Sequence, residues 1–266
     1  MSPRPLRLIE GLVPVLSTGT LSTMSDLFYP NAAYMEAPFR YDSNKDLPWD
    51  QKHNQLYWTG STTGAYTDSD QWPYYHRQRF VELAKQLRGR MYYYLHLKDN
   101  MITRTASSFL NSHLYNVTFT KIVDCTWKYW HQQRQYFSLM SWADKDEAFK
   151  SKLVFDLDGN GISGRYYKLL ASNSLPLKQT ILREWHDERL VPWVHYVPVS
   201  LSMEELPELV IYLTSTKKGQ HMAREIAEQG REWFGKALRM EDQSIYVYRL
   251  MLEPERLQDP ERVAMS

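Results

Sequence analysis

One cysteine, Cys125, is all the thiol chemistry available in 266 residues. It excludes an intrachain disulfide and any cysteine-based zinc or redox motif. Net charge is nearly absent as well: 32 basic side chains against 31 acidic ones leave +1. That balance argues against a protein that holds nucleic acid by neutralising phosphates. Long apolar runs are also missing. The best stretch, Leu190 to Leu201, is too short to span a bilayer and holds His195, Pro192 and Pro198. At the start, Arg4 and Arg7 precede a short apolar run broken by Glu10 and Pro14, a poor match to a secretory signal. The sequon Asn116-Val117-Thr118 is informative only in a secreted chain, so the compartment stays open. What the chain does have is apolar mass. At 43% hydrophobic it is able to build a real core, as one large domain or two small ones. Aromatic residues reach 14%, with nine Trp and nineteen Tyr. Such side chains line carbohydrate and nucleobase sites, and they make plain core equally often.

The stretch Phe155-Asp156-Leu157-Asp158-Gly159-Asn160-Gly161-Ile162-Ser163-Gly164-Arg165 carries the most information. Asp156, Asp158, Asn160 and Gly161 match the first half of a calcium loop. The closing position, which needs a bidentate Glu, is Tyr167, so calcium is rejected. Gly159-x-Gly161-x-x-Gly164 also spells a dinucleotide fingerprint, between a strand expected over Leu153 to Leu157 and a helix expected over Ser163 to Leu170. Glu184 lies near the distance of a ribose-binding acid. Glycines of this kind let backbone N–H groups approach a diphosphate, and a helix N-terminus adds favourable partial charge. A glycine-rich turn with no ligand is the plain alternative. Arg165 favours a ligand, since a guanidinium on the first helical turn faces whatever the loop cradles, with a fork suited to phosphate oxygens. Lys168, one turn on, reinforces the field. A solvated surface arginine is the bland reading.

Residues 1 to 50 read as irregular, with a strand at Val13 to Ser17. Leu56-Tyr57-Trp58 reads as a strand running into Thr59-Gly60-Ser61-Thr62-Thr63-Gly64, which either wraps a phosphate or sugar or makes an ordinary turn. Tyr74 to Leu87 has helical periodicity, with Phe80, Leu83, Ala84 and Leu87 on one face. Residues 89 to 145 are ambiguous, apart from a strand at Val117 to Val123. From Ala148 the pattern is orderly: strand, glycine loop, helix, strands near Leu175 to Leu177 and Trp193 to Val199, then helices over Glu204 to Thr214, His221 to Leu238 and Asp242 to Leu257. Alternating strands and helices imply an α/β fold with a doubly wound parallel sheet, whose ligands sit at the carboxyl ends of the strands.

Lys152 to Arg165, then Glu184-Trp185, then Leu190-Val-Pro-Trp-Val-His-Tyr-Val-Pro198, resemble the capsule-associated (CAP-domain), Rumi-type protein O-glucosyltransferases. Ala223 to Gly230 and Tyr57 to Gly64 belong to the same resemblance, which covers about residues 25 to 255 and is nearest in wording to the fungal branch. It implies a GT-B architecture: an incomplete N-terminal, acceptor-side lobe over 1–90, a Rossmann-like nucleotide-sugar lobe over 91–245, and a C-terminal helix and tail over 246–266. The helix is expected as a strap between the lobes. Relatives transfer glucose or xylose from UDP to a protein or glycan hydroxyl, with inversion and without a metal or other cofactor, in the endoplasmic reticulum or Golgi lumen. The partners implied are a UDP-sugar and a protein or glycan acceptor. Carried over by position, Asn160, Gly161, Ile162, Ser163, Gly164 and Arg165 hold the diphosphate, with Ser163 and Arg165 making the charged contacts. Trp58, Gly60, Ser61 and Thr62 approach the donor from the other side. Glu184 reads as a ribose ligand or as a structural acid, and Trp193, His195 and Tyr196 as packing.

Two departures from the family pattern stand out. Thr59 occupies a position where relatives commonly carry Arg. The family's catalytic aspartate belongs to a segment upstream of the aligned residues, whereas residues 1–25 hold no Asp and Glu10 is their only acid; Asp26 and Glu36 do not match the motif. The expectation is a chain that begins within the N-terminal lobe, with its donor site largely intact, its catalytic residue unassigned and transfer weak or absent. A noncatalytic UDP-sugar-binding relative and a NAD-dependent oxidoreductase are the alternatives.

Overall fold

A computed structural model describes residues 14–99, 101–141 and 144–258. The expected strand start at Val13, and the Arg4 to Glu10 segment, lie outside the described residues. Five parallel strands form the central sheet: β1 His53–Ser61, β2 Tyr115–Lys121, β3 Ser151–Leu157, β4 Leu175–Gln179 and β5 Val197–Pro198. Their order is β5-β4-β3-β1-β2, with Leu56 opposite both Tyr115 and Leu153, Phe155 opposite Leu177, and Leu177 opposite Val197. Strands covered on both faces read as continuous apolar runs, and β1 and β3 do so at Leu56-Tyr57-Trp58 and Leu153-Val154-Phe155, all buried.

Side chains alternate between two cores. Leu56, Trp58, Phe119, Leu153 and Phe155 point into the larger, where Phe80 of α1 (His76–Ala84), Phe137 after α2 (Trp127–Tyr136), and Val210 and Leu213 of α4 (Leu206–Ser215) meet them. Tyr57 and Val154 point the other way, onto Leu169 of the short α3 (Tyr166–Leu170). A third cluster holds Tyr34, Tyr166, Tyr167, Trp185 and Leu238. The described residues end in two long helices, α5 (Lys217–Ala237) and α6 (Met240–Gln258). Among the described residues no helix is long and apolar enough to cross a membrane.

Several expected elements change length. The run expected over Trp193 to Val199 keeps only Val197–Pro198 as strand. Trp193 has φ of 66° and its N–H closes a turn on the Tyr196 carbonyl at 2.7 Å. Leu87, expected on the buried face of α1, falls past the helix end and is 39% exposed. The ambiguous middle resolves into α2 and an antiparallel hairpin, Tyr92–Lys98 with Met101–Ser107. Ahead of the sheet, Leu16–Ser17 pairs with Leu27–Phe28, and Thr20–Leu21 pairs with Leu182–Arg183. The division expected at residues 90/91 is crossed by the hydrogen bonds of β1 to β2 and β3.

Candidate functional site

The connection after β1 runs toward β2 and the connection after β3 runs the opposite way toward β4, so a crevice opens between the carboxyl ends of β1 and β3. Two loops meet there: Thr62 to Gly64 after β1, and Asp158 to Gly161 after β3. Arg77 of α1 joins them. Its Nε donates to the Asp158 carbonyl at 2.7 Å, and its two terminal nitrogens donate to the carbonyls of Leu157 (3.1 Å) and Ser61 (3.0 Å) and to Thr63 Oγ1 (2.7 Å). Burial, then the nearby Arg165, lowers its pKa to about 10. His76 Nε2 donates to the same Asp158 carbonyl at 2.7 Å, and burial lowers its pKa against that bond. The Gly64 N–H donates to Asn160 Oδ1 at 2.8 Å, and Asn160 Nδ2 donates to Asp124 Oδ2 at 2.8 Å. Among the described glycines Gly64, at φ +122°, is the one whose conformation demands glycine; Gly159, Gly161 and Gly164 lie outside the left-handed region.

Arg165 stands just before α3 and reaches across to β1, donating to the Thr59 carbonyl at 2.6 Å. It lines a cavity of about 210 Å³ walled by Phe39, Tyr57, Thr59, Gly60, Asp144 and Lys145. Burial lowers the Arg165 pKa, and among the described residues no carboxylate forms an ion pair with it. A half-buried guanidinium that has given up water without gaining a counter-ion is a site for an anion. Lys168 lines the same cavity, but its charge is spent on Asp146 and its remaining donation goes to the Lys145 carbonyl at 3.1 Å. It adds less positive field than its place in the sequence implies.

The remaining candidate residues divide between the rim and the interior. Asn160, Gly161, Gly60 and Ser61 lie on the rim. Trp58 is 1% exposed and packs edge-on against Phe80 and Phe119, so it supports β1 from beneath. Thr62 turns inward, its hydroxyl bonded to the Val123 backbone. Ser163 is 5% exposed and donates to Asp156 Oδ1 at 2.5 Å, so its hydroxyl braces the loop from within. Ile162 packs with the Tyr34 and Tyr166 cluster, where a Cβ on Gly19 would collide with it. A Cβ on Gly164 would lie 3.2 Å from Ala33 and 3.3 Å from the Phe39 ring, so this glycine admits the 33–39 segment that walls the Arg165 cavity. Helix α3 has five residues and begins after Arg165, too short to supply the strong N-terminal field expected of it.

Glu184 is 2% exposed. Its carboxylate accepts from the Tyr34 hydroxyl and from Lys178 Nζ at 3.5 Å, while Lys178 also donates to Asp156 Oδ2 at 3.3 Å and lies 3.7 Å over the Tyr166 ring. The acid expected near a ribose is therefore committed to a buried network behind the loop. Burial, opposed by Lys178 and Tyr34, pushes its pKa up to about 7. Against burial, which lowers it, Asp156 and Glu184 raise the pKa of Lys178. Asp156 turns to Ser163 and Lys178, Asp158 to Thr180, and Asn160 to Gly64, so the calcium-like triad does not converge. Sequence reasoning overlooked Arg77 and Lys178. Arg77 sits three residues before Phe80, a charge on the apolar face of α1, and that mismatch was its available signal.

The model of glycosyl transferase family 90 matches residues 90–262, which take in the Arg165 loop and the four strands β2 to β5. Protein O-glucosyltransferase 1 of Rattus norvegicus is 24% identical over 277 residues, covering 94% of this chain and 59% of that protein. The Homo sapiens protein of the same name matches with the same identity and coverage. O-glucosyltransferase rumi of Drosophila pseudoobscura pseudoobscura is 36% identical over 107 residues, 38% of this chain and 25% of that one. The chain thus spans 59% of the length of the relatives it matches end to end. With a family match across more than half its length, taking in Arg165 and four of the five strands of the sheet, this chain belongs to glycosyl transferase family 90.

Proposed function

We propose that this chain binds a UDP-sugar, with the diphosphate on Arg165, and acts as a glucosyltransferase toward a protein or glycan hydroxyl. The half-buried Arg165 guanidinium, which forms no ion pair with a carboxylate among the described residues, carries this reading. In a partly dry cavity it is worth far more to a departing diphosphate than an exposed lysine would be. The backbone of Thr59 to Ser61 forms the facing wall, and fixed cations and N–H groups of this kind serve an inverting transfer that uses no metal. The names of the relatives point to glucose; xylose is the second donor to test. Family membership leaves the nicotinamide alternative unsupported.

Transfer also needs a carboxylate to take the acceptor proton. Asp144 is the carboxylate lining the Arg165 cavity, and one of its oxygens already accepts the Asp146 N–H at 3.0 Å. We therefore expect UDP-sugar binding with weak transfer. The test is calorimetric titration with UDP and UDP-glucose. Arg165→Ala is expected to weaken both by about tenfold to a hundredfold, the worth of a charge-assisted hydrogen bond. Equal binding by wild type and variant, or no binding by either, overturns the proposal.

A further inference from the structure

Lys178 on β4 does not line the Arg165 cavity, yet two of that cavity's walls lead back to it. Its side chain is 5% exposed and lies between two carboxylates that are each 1% exposed, Asp156 at 3.3 Å and Glu184 at 3.5 Å. On one side, Asp156 Oδ1 accepts from Ser163 Oγ at 2.5 Å. Ser163 stands two residues before Arg165, next to Gly164, where an added Cβ would crowd Ala33 and Phe39. On the other side, the Glu184 carboxylate accepts from the Tyr34 hydroxyl. Tyr34 belongs to the single-turn helix Ala32–Met35, and the Pro38 and Phe39 that follow it wall the cavity. A chain of contacts thus runs from Ser163 through Asp156, Lys178 and Glu184 to Tyr34, and its two ends meet again at the cavity.

A buried ion pair adds little stability over apolar side chains of the same volume, and its best-attested use is to fix one arrangement of the segments it joins. Removing one partner is a different matter, because it leaves buried charge without a counter-charge. We infer that Lys178 is a positioning residue for the Arg165 cavity: its one ammonium holds both the loop that carries Arg165 and the 33–39 segment that walls it. The inference rests on the nucleotide-sugar reading above. A guanidinium binds a diphosphate well only where its fork is held in place, and a small shift of loop or wall misaligns it. The Tyr166 ring, with its centroid 3.7 Å from the ammonium, and the stacking of Tyr34 on Tyr167 at 3.8 Å leave the clamp little room to move.

Calorimetric titration with UDP tests it. Lys178→Met keeps the apolar stem, removes the charge, and is expected to bind UDP about tenfold more weakly. Tyr34→Phe removes only the hydroxyl that Glu184 accepts and is expected to weaken UDP by about threefold. Neither residue lines the cavity, and both act through one chain of contacts. The double variant is therefore expected to bind no more weakly than Lys178→Met. Gly230→Ala, which disturbs α5 instead, is expected to keep wild-type UDP affinity, which separates loss of position from a general loss of stability. Unchanged affinity in Lys178→Met, losses that multiply in the double variant, or an equal loss in Gly230→Ala overturns the positioning role, while Arg165→Ala still reports on the nucleotide site. If Lys178→Met does not fold, Tyr34→Phe decides, and wild-type affinity there overturns the role. Absence of UDP binding by wild type overturns the nucleotide reading and this role together.

Discussion

Glu184 was legible as a residue of consequence in the sequence, but its partners were not. It sits next to Trp185 in a stretch that carries the family resemblance, yet Lys178, Tyr34 and Asp156 come from three separate segments that only folding assembles. The burial that took it from solvent makes it a pH sensor of stability. Its pKa rises from 4.5 to about 7, so the folded state holds the proton more tightly than the unfolded chain. Stability from this group is full below pH 4.5 and is lost as pH rises through about 7. Urea denaturation of wild type and Glu184→Gln across that window should show the wild type losing about 1–3 kcal/mol relative to the variant. Parallel pH profiles would show that Glu184 titrates as an ordinary acid. Arg165 was legible in kind, as a cation beside a glycine turn. Its reach to the Thr59 carbonyl, 106 residues away in sequence, was not.

Helix α5 shows how one residue type plays two parts within a single element. Gly230 packs against the turn before β5, where an added Cβ would lie 2.4 Å from the His195 carbonyl oxygen and 3.1 Å from Leu170. Gly235, on the same helix, faces open space. Gly230→Ala should destabilise the protein by about 1–3 kcal/mol through overpacking against backbone. Gly235→Ala should stabilise it by about 0.5–1 kcal/mol through helix propensity. Denaturant midpoints check the pair, and changes of the same sign would mean that the helix does not dock as described. Long periodic helices were readable within a few residues, as α4, α5 and α6 show. The strand expected over Trp193 to Val199 was not, because Trp193 at positive φ and the bond from the Val191 N–H to His195 Nδ1 at 3.0 Å make a tight turn inside an apolar run. The hairpin escaped notice because Leu95, Leu97 and Ile102 are exposed, so burial does not impose a clean alternation on it.

At the scale of the molecule, the sheet order puts β1 beside β3 and thereby creates a crevice between segments about a hundred residues apart. Binding there should couple to global stability. UDP at about 100 times its Kd adds about 2.7 kcal/mol to the folded state, a rise in Tm of about 5–10 °C for a chain of this size. Arg165→Ala should show little of that rise at the same UDP concentration. Calorimetric scans that shift equally for both proteins would place the nucleotide elsewhere.

By itself the sequence determined the α/β class, the two inward-facing strands and the loop between Asp158 and Arg165, because burial on both faces and glycine spacing are local patterns. Only the tertiary structure decided that Ser163 and Glu184 face inward, that Lys168 is neutralised by Asp146, and that Arg77 binds two strand ends. A side chain's charge is written in the sequence, whereas its partner is chosen by which strands lie side by side. Here that choice bound the Arg165 guanidinium to the Thr59 carbonyl and, among the described residues, to no carboxylate.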